Sequence, residues 1–304
     1  MAITNSFAQF LLHLKKNKVS FENTLTLGRL RLYATVPGLN KIAKDMGLNL
    51  KFDSAHGNDY TEEFFKILGA NKTDSLDYSD YESATILADL NEPLPSTMHK
   101  GYTAVLDSGT LEHVFNFPVA IASCMKAIKV GGVYIGITPA NNMMGHGFYQ
   151  FSPELYFRVF NQDNGFEVTE MLIGVMDDAG TEIEKWYEVK DPAEVKARVT
   201  LRNFKETYLF IAAKKIQEVE LFKTNPFQND YANAWDRSKK ESAGEVSTAR
   251  KLYKQNMPKQ GQKVVGKLKG IFNKKKVFKD QSIGLIDLNH FKEVNFSTPA
   301  DGSF

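Results

Sequence analysis

The sequence predicts an α/β fold in which helices cover a doubly wound, mostly parallel sheet of seven strands. The chain has 304 residues, of which 42% are hydrophobic, enough for one large domain with an appendage. Between residues 24 and 213, short apolar runs alternate with segments of helical spacing, which is typical of strands connected by crossover helices. No apolar run approaches the roughly 18 residues of a membrane-spanning helix, which excludes an integral membrane protein.

Seven apolar or β-branched runs are predicted to be strands. The last run, Tyr208-Leu-Phe-Ile-Ala-Ala, is continuous enough to be buried on both faces. In chain order the predicted strands are residues 24–27, 74–77, 84–89, 102–107, 133–138, 166–175 and 206–213.

Helices are predicted where apolar residues recur at helical spacing between these strands. Residues 36–46 form such a segment and stop at Gly47. Thr61 is a candidate cap for a helix that ends near Gly69, because two glutamates occupy its first turn. Residues 118–129 form a third helix, and Ser152 followed by proline begins a fourth.

The charge distribution predicts two domains, residues 1–215 and a basic C-terminal extension, 216–304. Eleven basic and no acidic residues lie between 250 and 279, which leaves a net charge of about −9 elsewhere against +2 for the whole chain. An acidic body argues against a nucleic-acid surface on the fold. The apolar stripe within 261–279 is compatible with weak contact to an anionic membrane or with packing on the parent domain. The sequence leaves the oligomeric state open.

Cysteine usage and the N-terminus predict a cytoplasmic protein without a metal site. Cys124 is the single cysteine and cannot form an internal disulfide or a thiolate metal site. Residues 1–20 lack the order of a secretion signal, because three lysines follow the apolar run instead of preceding it.

Polar residues and glycines follow the predicted strands where a ligand of an open α/β sheet binds. Ligands of such sheets bind beyond the carboxyl ends of the strands, where the strand order reverses. A carboxylate there can accept hydrogen bonds from ribose hydroxyls or from an adenine amino group. The sequence therefore predicts a nucleoside-binding edge formed by Gly28, Arg29, Asp77, Asp89, Leu90, Asp107 and Gly109.

Three short motifs in family order resemble class I S-adenosylmethionine-dependent methyltransferases. These motifs are Leu-Glu-His-Val at 111–114, Val-Gly-Gly at 130–132 and Asn-Gly-Phe-Glu-Val at 164–168. The resemblance implies a Rossmann-like fold, S-adenosylmethionine as cofactor and a methyltransferase activity, with the edge residues above as the cofactor site.

The first loop departs from that family because it contains a single glycine, Gly28, instead of several. Arg29 or Arg31 could replace the lost amide contacts by binding the carboxylate of the cofactor in a bidentate pair. The same departure favours an alternative function, that of a catalytically inactive binding or scaffolding protein.

The acceptor implied by the resemblance is a small molecule or a glycan, methylated at oxygen. His146 lies between two glycines and is predicted to be the catalytic base, with His113 as a second candidate. Asn141, Asn142 and Tyr149 are predicted to bind the acceptor. The structural alternative for the His146 loop is a segment that packs its aromatic residues over the sheet edge.

Overall fold

The structure is a computed structural model. It describes residues 2–53, 59–195, 199–231, 234–235, 277–280, 284–287 and 291–296. Most of the segment 261–279, including its apolar stripe, lies outside the described residues. The described strands are β1 (Ala2–Ile3), β2 (Asn23–Leu27), β3 (Arg31–Leu32), β4 (Lys72–Asp77), β5 (Ile86–Leu87), β6 (Tyr102–Ser108), β7 (Ile128–Asn141), β8 (Phe166–Met176), β9 (Ile183–Val189), β10 (Leu201–Arg202), β11 (Thr207–Lys215), β12 (Val277–Asp280), β13 (Gly284–Asp287) and β14 (Phe291–Val294).

The main sheet has the strand order β14-β9-β8-β11-β7-β6-β2-β4-β5. Strands β5, β4, β2, β6 and β7 are parallel, and β11, β8 and β9 extend the sheet with antiparallel pairings. The chain runs outward from β2 through β4 to β5 and then returns to the other side of β2 as β6. This reversal between β2 and β6 makes the fold α/β and Rossmann-like, with a topological switch point at the ends of these strands.

The predicted count of seven strands in this sheet is wrong, because the described sheet has nine. The two additional strands are β9, which forms an antiparallel pair with β8, and β14 at the edge. Strand β9 has three charged residues among seven, so its sequence lacks the apolar run by which the other strands were predicted.

Six α-helices accompany the described strands. Helix α1 (Asn5–Lys16), which the sequence analysis did not predict, begins with a hydrogen bond of 3.3 Å from the Phe7 amide to the Thr4 hydroxyl. The others are α2 (Val36–Asp45), α3 (Glu62–Ile67), α4 (Phe117–Ala127), α5 (Pro153–Val159) and α6 (Pro192–Val195).

The predicted end of the helix at 118–129 is wrong. Helix α4 stops at Ala127, and the following residues already belong to β7. Gly131 has a φ of +86°, and a side chain on Gly132 would lie 2.9 Å from the Thr103 carbonyl. The two glycines therefore allow an irregular start of β7 close to β6.

The core of the main sheet is centred on β11, which lies between β7 and β8. Phe210 of β11 is fully buried, and its ring centroid lies 4.6 Å from Trp186 and 5.3 Å from Phe10. Helix α1 packs its apolar face into this same cluster.

Two compact units divide the chain. The first comprises residues 1–189, 204–226 and 292–304, and the second comprises 190–203 and 227–291. In the second unit, β10, β13 and β12 form a small antiparallel sheet. Among the described residues, no helix has the length and apolar character needed to cross a bilayer.

Phe210→Ala tests the position of the core. Because the side chain is fully buried among aromatic rings, its removal should lower the free energy of unfolding by about 3–5 kcal/mol, measured by urea denaturation. Phe204→Ala is the matched control, since Phe204 is 100% exposed and its loss should change little. Equal unfolding midpoints for the two variants would contradict this placement of β11.

Candidate active site

A cavity of about 430 Å³ lies at the carboxyl ends of the parallel strands, at the switch point. Each of the loops that follow β2, β4, β5 and β6 contributes to its wall. Its lining residues are Gly28, Leu76, Asp77, Tyr78, Ala88, Asp89, Leu90, Asn91, Thr110, His113 and Val114. Its volume is in the range of small-molecule sites.

Gly28 forms the turn that begins one wall of the cavity. Its φ of +77° lies in the left-handed region that glycine adopts without strain. Its amide donates a hydrogen bond of 2.6 Å to the Leu76 carbonyl, which joins the ends of β2 and β4. The single glycine of the first loop therefore occupies the position where the backbone requires one.

Asp77 and Asp89 place two carboxylates on the cavity wall. Asp77 ends β4, and its Oδ1 accepts a hydrogen bond of 3.2 Å from the Ser79 amide. Oδ1 of Asp89 accepts two bonds of 2.8 Å from the Asn91 amide and side chain. A carboxylate offers about four acceptor positions, so both aspartates retain capacity for a ligand.

Asp107 holds the loop after β6 instead of lining the cavity. The side chain is fully buried, and its Oδ1 accepts hydrogen bonds from the amides of Thr110 (2.9 Å) and Leu111 (3.2 Å). Its Oδ2 accepts a bond of 3.2 Å from the Tyr134 hydroxyl. Burial raises the pKa of Asp107, and the hydrogen bonds from these donors oppose that shift.

Asp107 and Gly109, predicted to bind the cofactor, are not among the residues that line the cavity. Gly109 has a φ of +85°, and its amide donates to the Ile137 carbonyl at 3.1 Å. Both residues shape the turn that positions Thr110 and His113.

Arg29, predicted to contact the cofactor, is also not a lining residue of the cavity. Its Nε donates to Glu62 at 2.7 Å and its Nη1 donates to the Glu82 carbonyl at 2.9 Å. The guanidinium lies over the Tyr60 ring, 4.1 Å from the ring centroid. Arg31 pairs with the Glu82 carboxylate at 3.1 Å. The two arginines thus connect the segment around α3 to the loop after β4.

His113 and His146 lie side by side, with ring centroids 5.4 Å apart. His113 lines the cavity, whereas His146 is not a lining residue. Partial desolvation and the neighbouring His146 lower the pKa of His113, so its imidazole is neutral at neutral pH. Of the two histidines predicted to be catalytic, His113 is the one that lines this cavity.

Glu112 lies between these histidines and the interior. Its side chain is fully buried, and its Oε1 is 3.4 Å from Nε2 of His146. Among the described residues, neither carboxylate oxygen has a hydrogen-bond partner. Burial raises the pKa of Glu112, and the nearby Asp107 carboxylate adds to that shift.

The Gly-His-Gly loop reaches this cluster because Gly147 has no side chain. A Cβ on Gly147 would lie 2.9 Å from the Glu112 carbonyl and 3.1 Å from Nδ1 of His113. The amides of Phe148 and Tyr149 donate to that same carbonyl at 2.8 and 3.2 Å. These bonds hold the loop against Glu112, and the loop brings His146 to His113.

The predicted acceptor-binding residues lie apart from the cavity wall. Asn142 has a φ of +59°, and its Nδ2 donates to the Lys205 carbonyl at 2.8 Å, while Asn141 is the last residue of β7. The Tyr149 hydroxyl donates to the Phe115 carbonyl at 2.7 Å, and its ring lines a second, largely apolar cavity of about 350 Å³. None of these three residues lines the cavity of about 430 Å³.

The polar lining residues Asn91 and Thr110 were given no role in the sequence analysis. Asn91 is held by Asn116, whose amide donates to Asn91 Oδ1 at 2.9 Å. The Thr110 hydroxyl donates to the Leu27 carbonyl at 2.7 Å and joins the ends of β2 and β6. Both lie just after predicted strands. This position in the chain was the signal that could have identified them as lining residues.

No family model and no curated protein matches the chain. Among solved structures, 1,6-didemethyltoxoflavin-N1-methyltransferase from Burkholderia thailandensis has a TM-score of 0.38 at 12% identity, over 69% of this chain and 77% of that one. TehB from Haemophilus influenzae has a TM-score of 0.36 at 15% identity, over 67% and 61%. The branched-chain polyamine synthase from Thermus thermophilus has a TM-score of 0.34 at 11% identity, over 74% and 60%. The chain thus spans less than two thirds of the last two. Similarity of this extent assigns no activity.

Glu112→Gln tests the buried carboxyl group through the pH dependence of stability. Because the pKa of Glu112 is raised in the folded chain, the folded state binds more protons than the unfolded state above the ordinary pKa of glutamate. The stability of the natural protein should therefore fall as the pH rises through the raised pKa. The variant lacks this ionisation, so its relative stability should increase by roughly 1–3 kcal/mol between about pH 5 and pH 9.

The measurement is urea unfolding of both proteins across this pH range, in buffer with EDTA so that no divalent cation interacts with the carboxylate. Glu167→Gln is the control, because Glu167 is exposed. If Glu112→Gln and Glu167→Gln showed the same pH dependence, the unpartnered burial of Glu112 would be contradicted.

Proposed function

We propose that the chain is an S-adenosylmethionine-dependent methyltransferase that methylates an oxygen atom of a small molecule or glycan. The observation that carries this proposal is the cavity at the switch point, with two carboxylates and a glycine turn at the ends of adjacent parallel strands. The two carboxylates can accept hydrogen bonds from the ribose hydroxyls and the amino group of a nucleoside.

The acidic lining of the cavity also supports the binding of a nucleoside that carries a positive charge. Asp77 and Asp89 are acidic, and its described lining residues include neither lysine nor arginine. S-adenosylmethionine carries a sulfonium cation, which two carboxylates attract, whereas the pyrophosphate of a dinucleotide would be repelled. The residues present therefore fit S-adenosylmethionine better than a nicotinamide or flavin dinucleotide.

In this proposal Asp77 binds the ribose hydroxyls, Asp89 binds the adenine amino group, and Leu90 contributes apolar contact to the base. When bound, the cofactor supplies a methyl group that is electrophilic at carbon. Methyl transfer is an in-line displacement, so the protein contributes mainly alignment of the acceptor oxygen. In such a transfer the cofactor sulfur would be the leaving group, and His113 would accept the proton that the acceptor hydroxyl loses.

The His113–His146 pair is assigned to activate this hydroxyl. His113 lines the cavity, and its lowered pKa keeps the imidazole neutral and able to accept a proton. His146 lies next to it, so its contribution is made through His113.

A second candidate is a binding protein that keeps this architecture without catalysis. It is favoured by the first loop, where one glycine remains and the neighbouring Arg29 is engaged by Glu62. A binding protein of this kind would not need cofactor contacts from that loop.

Calorimetry with S-adenosylmethionine and S-adenosylhomocysteine tests the proposal. Binding of either ligand is expected, and Asp77→Asn and Asp89→Asn should each weaken it by about 10- to 100-fold, because each removes charge-assisted hydrogen bonds worth about 1.5–3 kcal/mol. Asp80→Asn is the matched control, since Asp80 is exposed and not a lining residue. No heat with either ligand at millimolar concentration would favour the binding-protein candidate, and unchanged affinity in both cavity variants would refute the assigned roles.

A further inference from the structure

We propose that Glu112, His113 and His146 form a binding site for one divalent transition-metal ion, of which Zn²⁺ is the representative. Each of the three side chains offers one ligand atom, and these atoms all lie within 4.8 Å of one another. The site is not part of the predicted function, in which no metal was expected.

The geometry is close to that of a metal site. Ligand atoms about 2.0–2.2 Å from a zinc ion lie about 3.0–3.6 Å apart, so only a small contraction of the cluster is needed. A movement of His146 can bring the ligand atoms closer together, because its side chain is 38% exposed and lies in a loop that also contains Gly145 and Gly147. Oε1 of Glu112 and Nε2 of His146 are already 3.4 Å apart.

The burial of Glu112 is the second observation that indicates a ligand. A fully buried carboxylate without a hydrogen-bond partner among the described residues is unfavourable, since the desolvation of the group is not offset. A divalent cation offsets it, because coordination supplies the positive charge that the buried carboxylate lacks. The raised pKa of Glu112 has the same origin and agrees with this reading.

The donor set selects the class of metal. Two imidazoles and one carboxylate are typical of Zn²⁺, Co²⁺, Ni²⁺ and Fe²⁺, whereas Mg²⁺ and Ca²⁺ prefer oxygen ligands. The lowered pKa of His113 favours the neutral imidazole, which is the form that coordinates. Three protein ligands leave a fourth position of a tetrahedral ion for water or substrate.

The position of His113 connects this site to the cavity, since the residue belongs to both. A metal-bound His113 uses its lone pair for coordination, so the ion instead of the imidazole would lower the pKa of the acceptor hydroxyl. This last step rests on the proposed function, whereas metal binding itself does not.

The test is titration of the full chain, without a histidine tag and after treatment with EDTA, with Co²⁺ followed by visible absorption and with Zn²⁺ followed by calorimetry. Neither cofactor nor acceptor is present, so the result does not depend on methyl transfer. We expect one ion per chain, with an affinity that falls by at least about tenfold in His146→Ala and in Glu112→Gln, because each removes one of three ligands. His99→Ala is the control and should bind as the natural protein does, since His99 is outside the cluster.

A pair of glycine variants tests the same site without removal of a ligand. Gly147→Ala should weaken binding, because its Cβ would lie 2.9 Å from the Glu112 carbonyl and displace the loop that carries His146. Gly145→Ala should not, since a Cβ at Gly145 meets no atom within 4 Å. Thermal unfolding of each metal-free variant verifies that it is folded. Absence of a one-to-one complex, or equal affinities for the natural protein, His146→Ala and Glu112→Gln, would overturn the proposal.

Discussion

The hydrogen bonds of the buried Asp107 carboxylate determine the shape of the functional edge. One oxygen accepts the amides of Thr110 and Leu111, and the other accepts the Tyr134 hydroxyl. The turn after β6 is therefore held by hydrogen bonds to a buried carboxylate. In the protein interior, a polar group that lacks its hydrogen bond is costly. Because this turn is fixed, His113 reaches the cavity wall while Glu112 points inward, although the two residues are adjacent in sequence.

The parallel half of the sheet and its ligand-binding edge follow largely from the sequence. Apolar runs predict β2, β4 and β6, and the residues at their ends include Gly28 and Asp77, which line the cavity. The rule that ligands bind beyond the carboxyl ends of strands requires only strand positions, and these depend on local composition. The antiparallel half of the sheet was less predictable. The charged residues of β9 interrupt its apolar pattern, so the sequence did not indicate a strand that pairs with β8.

Side-chain roles that depend on distant partners could not be predicted. Arg29 follows β2 directly, yet Glu62 and Tyr60 engage it, and these partners are about thirty residues away in the chain. His146 was identified from its flanking glycines, but its neighbour Glu112 is 34 residues earlier, and their contact depends on the close approach that Gly147 permits. Such contacts arise from loop packing, for which the sequence carries no periodic signal.

The two buried carboxylates near this edge, Asp107 and Glu112, have different roles. Asp107 has three described donors, which oppose the effect of burial on its pKa, and its role is to hold the backbone. Glu112 has no described donor, and the nearby Asp107 carboxylate further disfavours its ionised form. An acid in this position is stable only when it is protonated or when a cation joins it. The imidazoles of His113 and His146 lie beside Glu112, so a cation bound by the three side chains would offset the unfavourable burial of this residue.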